Sequence, residues 1–171
     1  MSFSNIKENR IRKKFEKSLS KQLDNRVVSQ KEIVTVGILT LDDISSKINL
    51  QSEIESILEV RNTKIYSFKK FNKNDEVSFK HFSEKNINWS GNFTEPTFQS
   101  FLEQPFDLLI GYFNENHLYL EKAILESKAS FKAGFSNVNS KLYELEVSTK
   151  LENVQQFSSE LKKYLQILQK L

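Results

Sequence analysis

Short unbroken apolar runs alternate along the chain with longer stretches in which apolar residues return every three or four positions. That alternation predicts strands separated by helices. The clearest run is Leu108 to Phe113, entered through Phe106-Asp107. Pro105 stops whatever precedes it, because proline donates no backbone hydrogen bond and pushes Gln104 out of helical geometry. No charge interrupts either face of the run, so it is predicted as a strand buried on both sides. After the polar Asn114-Glu115-Asn116, the residues Leu120, Ala123, Ile124 and Ser127 stand at i, i+3, i+4 and i+7 and predict a helix lying back over the sheet. Phe131 to Phe135 returns as a strand, completing a βαβ crossover whose two strands run parallel.

The same pattern occurs earlier. Glu32 to Leu41 reads as a buried strand carrying Ile33, Val34, Val36, Ile38, Leu39 and Leu41. Leu50, Ile54, Ile57 and Leu58 give a helical stripe, and Lys64 to Phe68 a second strand. Beyond a polar loop from Lys69 to Asp75, Val77, Phe79 and His81 alternate with polar neighbours and predict a short, half-exposed strand. Trp89-Ser90-Gly91 predicts a turn or a brief strand end with Trp89 laid on the core. Thr94 or Glu95 is expected to cap a helix with Pro96 in its first turn and Phe98, Phe101 and Leu102 on its buried face. Ser136 to Lys141 reads as a loop, and Leu142, Tyr143, Leu145 and Val147 as a last strand. A closing helix over Asn153 to Leu171 is predicted from Val154, Phe157, Leu161, Leu165 and Leu168, with Asn153 and Gln156 at its start.

Two crossovers in a chain of this length predict one α/β domain: a three-layer Rossmann-like or flavodoxin-like fold with a mainly parallel sheet. Fourteen Phe against one Trp and one Met assign the core to aromatic rings, which bury large areas and carry no chemistry. Cysteine is absent, which excludes disulfides, thiolate nucleophiles and cysteine metal sites and fits a reducing compartment. No apolar run reaches the roughly 20 residues that cross a bilayer, and no signal core follows the basic start. A cytoplasmic location is expected.

Charge divides the chain. The formal net charge is +3, yet residues 1 to 26 hold eight Lys and Arg against three Asp and Glu, leaving the remainder at −2. Lys7, Arg10, Arg12, Lys13, Lys14, Lys17 and Lys21 belong to this segment, and Ile11, Phe15, Leu19 and Leu23 recur every four residues through it. It predicts a basic amphipathic helix, with residues 1–28 as an arm and 29–171 as the domain. Three fates are open to the arm. Its stripe can dock on the domain, its cations can meet RNA or ribosomal phosphate, or it can engage a partner protein. The stripe is narrow for a membrane surface.

In an open parallel sheet, ligands bind beyond the carboxyl ends of the strands. The residues at those ends are Thr40, Asp42 and Asp43, then Asn114, Glu115, Asn116 and His117, then Ser136 and Asn137. They are the candidate ligand site. Neither GxGxxG nor GxxxxGK[ST] occurs and all four glycines are isolated, so a phosphate-cradling loop is not expected. Asp42 and Asp43 resemble the acidic pair of response-regulator receiver domains, but the central strand ends in Phe113-Asn114 where those domains carry an aspartate, and no Lys-Pro pair follows the next strand. His81 and His117 lie in separate segments without HxH or HExxH spacing, and no GxSxG elbow is present. No catalytic residue, metal or cofactor is assigned.

Phe106-Asp107-Leu108-Leu109-Ile110, then Ser127-Lys128-Ala129-Ser130-Phe131-Lys132-Ala133-Gly134-Phe135-Ser136-Asn137 and Leu142-Tyr143, resemble a bacterial family catalogued as domain of unknown function 6913. The resemblance extends to the basic arm, to Trp89 before Gly91 and to Leu161-Lys162-Lys163-Tyr164-Leu165. The central crossover alone is similar to the N-terminal half of heptosyltransferase-like glycosyltransferases, without their second, sugar-nucleotide-binding domain. The combined reading is a binding or adaptor protein that meets an anionic or protein partner through its arm. The alternative is a small ligand-binding or enzymatic domain with its site at the strand ends.

Overall fold

A computed structural model describes residues 2–76, 78 and 80–171. The chain begins with α1 (Phe3–Leu23), followed by β1 (Thr35–Leu41), a single-turn α2 (Asp42–Ser45), α3 (Leu50–Leu58) and β2 (Asn62–Phe68). After β3 (His81–Phe82) come α4 (Pro96–Glu103), β4 (Leu108–Tyr112), α5 (Leu118–Glu126), β5 (Lys132–Phe135), β6 (Leu145–Val147) and α6 (Val154–Ile167). The strands form one sheet in the order β3-β2-β1-β4-β5-β6 and every neighbouring pair is parallel. This is the 3-2-1-4-5-6 order of the doubly wound dinucleotide-binding fold, not the 2-1-3-4-5 order of flavodoxins.

Right-handed crossovers explain the layers. The chain leaves β1 toward β2 and leaves β4 toward β5 in opposite directions, so the connecting helices land on opposite faces. On one face α3 packs beside α6, whose Phe157 meets Tyr112 and Phe135 with ring centroids 5.0 and 4.6 Å away. On the other, Phe98 and Phe101 of α4 sit 4.8 and 5.4 Å from Tyr66, and α5 packs on β1 and β4. β4 lies mid-sheet with all five residues buried, as its uncharged run predicts.

α1 closes the second face. Ile11, Phe15 and Leu19 belong to the same buried cluster as the sheet, so α1, the helix of the expected 1–28 arm, is packed against the domain. It is held by Gln22 Nε2 donating to the Leu125 carbonyl (3.1 Å) and by Arg26, whose Nε lies 3.0 Å from Glu144.

Several boundaries differ from the sequence pattern. β1 starts at Thr35 rather than Glu32, because the amides of Val34 and Thr35 donate to the Asp107 carboxylate (3.1 and 2.9 Å) and that of Ile33 to the Lys170 carbonyl (2.9 Å). The last strand begins at Leu145. Leu142 closes a 3-10 turn, Ser140–Leu142, and Tyr143 follows it outside the ladder. Leu168 caps the end of α6 and is exposed rather than buried. Val77 and Phe79 of the expected third strand fall outside the described residues, and β3 is the pair His81–Phe82. Of the two expected placements Trp89 takes the turn, but it is 48% exposed rather than laid on the core. Glu95 is the cap of α4, accepting from the amides of Thr97 (3.1 Å) and Phe98 (2.5 Å).

Candidate functional site

The sheet order puts the switch point between β1 and β4, where a doubly wound fold opens a crevice. Here it is closed by its own residues. The Thr40 hydroxyl, fully buried, donates 2.7 Å to the Tyr112 carbonyl and ties the two strand ends together. The Tyr112 hydroxyl donates to the Leu151 carbonyl (2.5 Å), and Phe113 follows with no exposure at all. β1 runs directly into the single-turn α2 with no glycine between them, so the glycine-rich loop that lets a phosphate approach the backbone is missing here.

The candidates at the strand ends divide into three separate contacts. Asn137 Nδ2 donates to the Asn114 carbonyl (2.6 Å), while Asp43, Glu115 and Ser136 are exposed. Asp42 faces His81, with Oδ1 and Nδ1 3.5 Å apart, rather than His117. His81 is the partner that sequence reasoning missed: its neighbour across the ladder is Ser67 of β2, and only the strand order β3-β2-β1 brings it toward Asp42.

His117 serves α5. Its Nδ1 accepts from the Leu120 amide (3.3 Å) and its own amide donates to the Glu121 carboxylate (2.8 Å). Burial pushes the imidazole below its ordinary value. The ring meets Phe68 edge-on at 4.4 Å, and Phe68 stacks on Tyr119 at 5.4 Å. A lone pair spent on a helix cap is not free to act as a general base. Among the described residues no group of three or more His, Cys, Asp or Glu could hold a metal ion.

A second residue the sequence did not single out is Lys132, which enters β5 buried. Burial brings its pKa down to about 8 against the opposing pull of Glu144, and its ammonium reaches the Leu125 carbonyl at 3.3 Å. It lies at the amino edge of the sheet, away from the strand carboxyl ends.

The basic helix presents a different geometry. Arg10, Lys13, Lys14, Lys17 and Lys21 stand at i, i+3, i+4, i+7 and i+11, hence on one side of α1, and all five are exposed. The buried Ile11, Phe15 and Leu19 occupy another side, so docking leaves the cations outward. Lys7 extends the row and is half-buried; burial and the nearby Lys85 lower its pKa. From Lys7 to Lys21 the row is about 21 Å long at 1.5 Å per residue. Arg12 is off it, paired with Glu8 at 3.1 Å.

Two lysines of the row also fasten loops. Lys7 Nζ donates to the Glu84 carbonyl (3.1 Å) and Lys14 Nζ to the Ser90 carbonyl (2.5 Å). Beside the first, at the carboxyl ends of β2 and β3, an open cavity of about 370 Å³ is bordered by Lys69, Lys70, Phe71, His81 and Lys85.

Among the described residues no helix is long and apolar enough to cross a membrane. The model of a family of unknown function (DUF6913) matches residues 7–168. No curated protein and no solved structure matches, so the local likeness to heptosyltransferase-like enzymes gains no support.

Proposed function

We propose, for a chain that belongs to the family of unknown function DUF6913, a non-catalytic binding role in which the solvent face of α1 engages an extended polyanion. The single observation that carries this reading is the row Arg10, Lys13, Lys14, Lys17 and Lys21, held outward on a helix whose opposite side is fixed in the core. Docking pre-orders the cations. A free basic helix loses conformational entropy when it binds, whereas this one has lost it on folding. The expected crevice, filled by Thr40, Phe113 and the rings around His117, gives the enzymatic alternative no comparable support.

Binding of a fluorescein-labelled oligonucleotide, followed by anisotropy across a salt series, tests the proposal. Each phosphate neutralised releases counterions, so five contacts to a single strand give a slope of log K against log salt of about −3.5. The double charge reversal Lys13→Glu, Lys17→Glu removes two exposed side chains that make no hydrogen bond or ion pair among the described residues, and is expected to lower affinity by at least tenfold. A flat salt response, or the reversed variant binding as well as the parent, rejects the reading.

A further inference from the structure

We infer, building on the polyanion reading above, that the ligand is a single-stranded nucleic acid whose bases stack on Trp89 and Phe71, two exposed aromatic side chains tied to α1 through Ser90 and Glu84.

The chain has one tryptophan, and it is left 48% exposed while eleven of the fourteen phenylalanines are buried in the core. Its loop is ordered by its own bonds. The Gly91 amide donates to the Asn88 carbonyl (2.9 Å), the Asn88 amide to the Asn92 carbonyl (3.0 Å), and the Asn92 amide to Asn88 Oδ1 (3.0 Å). Gly91 takes φ +79°, and a Cβ built there would lie 3.6 Å from Lys14 Cδ and 3.9 Å from Ile11 Cγ1. The turn is therefore seated on α1 through Ser90 and Gly91, and Trp89, the residue before them, is exposed next to Lys14's point of contact.

The other loop repeats the arrangement. Phe71 is 50% exposed, its amide donates to the Glu84 carboxylate (3.1 Å), and Lys85 Nζ lies 5.4 Å from its ring centre. Glu84 is also the residue whose carbonyl receives Lys7. Trp89 is thus carried by a turn that Lys14 holds down, and Phe71 is tied to the same helix one step removed, through Glu84, which Lys7 holds. The two lysines are seven residues apart, about 10 Å along the axis.

Cations along a track with aromatic faces beside them are what sequence-tolerant single-strand binding requires, because the backbone supplies the charge and every base has a π-face. A duplex keeps its bases inside the stack. A polyanion without bases satisfies the lysines and leaves the rings bare.

Because Trp89 is the sole tryptophan, its intrinsic fluorescence reports this contact directly. The full-length protein is titrated with a single-stranded 12-mer, with a hairpin duplex and with heparin, reading anisotropy or competition for affinity and tryptophan emission for stacking. The 12-mer is expected to bind and quench Trp89, heparin to bind without quenching, and Trp89→Ala to weaken the 12-mer about tenfold while leaving heparin unchanged. Trp89→Phe, which keeps a ring, recovers most of the loss, and circular dichroism establishes that both variants fold. Binding of the 12-mer without quenching, an unchanged Trp89→Ala variant, or preference for the duplex overturns the stacking inference and leaves the polyanion reading standing. Failure of all three ligands to bind overturns both.

Discussion

Gly111 and Gly134 are register partners on β4 and β5, and the ring of Tyr143 lies across them. A Cβ at Gly134 would stand 2.3 Å from Tyr143 Cζ, and one at Gly111 2.3 Å from its hydroxyl oxygen. The two glycines are therefore a seat for one aromatic ring. Burial raises the Tyr143 pKa, and the hydroxyl has no hydrogen-bond partner among the described residues. Gly134→Ala is expected to cost about 2–3 kcal/mol through overpacking, since the obstacle is a ring held in the core. In a Tyr143→Leu background the same substitution should cost much less. Urea denaturation of the four chains gives the coupling, and additive effects would mean that the ring is not what Gly134 accommodates. From sequence alone, Gly134 and Tyr143 read as members of two strands, because periodicity records which face a residue takes and not which side chain crosses over its neighbours. The same limit hid the pairing of Asp42 with His81, which depends on β3 lying outside β2.

Among the elements, α3, α4, α5 and α6 were legible because each buries a stripe at helical spacing, and β1 and β4 because each is a dense apolar run. β6 was misjudged at its start, where Leu142 and Tyr143 are as apolar as strand residues but are buried by a 3-10 turn and by the glycine seat. α5 shows how a candidate site residue is absorbed by its element. His117 caps the helix through a neutral Nδ1, and Glu121 reaches back to its amide. Burial, the largest influence, lowers the folded-state pKa of His117 below 6.5. As pH falls through 6.5 the unfolded chain therefore takes up a proton before the folded chain does, and stability is lost on the acid side. His117→Asn keeps a capping oxygen and removes the titration. Between pH 7.5 and 5.5 the parent should lose more denaturant resistance than this variant. Equal losses would show that the imidazole is not the responsible group.

For the whole molecule the decisive feature is what covers the sheet beyond α5. A doubly wound fold normally places a crossover helix between β5 and β6, but this chain spends only the Ser140–Leu142 turn there. α1 contacts both α5 and that turn, so the N-terminal helix does the work of the missing crossover. Ile11, Phe15 and Leu19, at 0, 6 and 6% exposure, are the side chains it contributes. At about 2 kcal/mol for each large apolar side chain buried, they bring roughly 6 kcal/mol, a large part of the 5–15 kcal/mol that holds a typical domain together. Removing residues 1–26 is therefore expected to lower the melting temperature by well over 10 °C, or to abolish cooperative unfolding, and to expose an apolar face on α5 that binds a hydrophobic dye. The charge-reversed full-length chain, altered only on the solvent side, should melt close to the parent. This contrast also decides how partner binding is to be measured: a truncated chain that loses its partner has lost part of its core, whereas the reversed chain has lost only its cations. A 27–171 fragment that unfolds cooperatively within a few degrees of the parent would detach α1 from the fold and return it to the status of an appended arm.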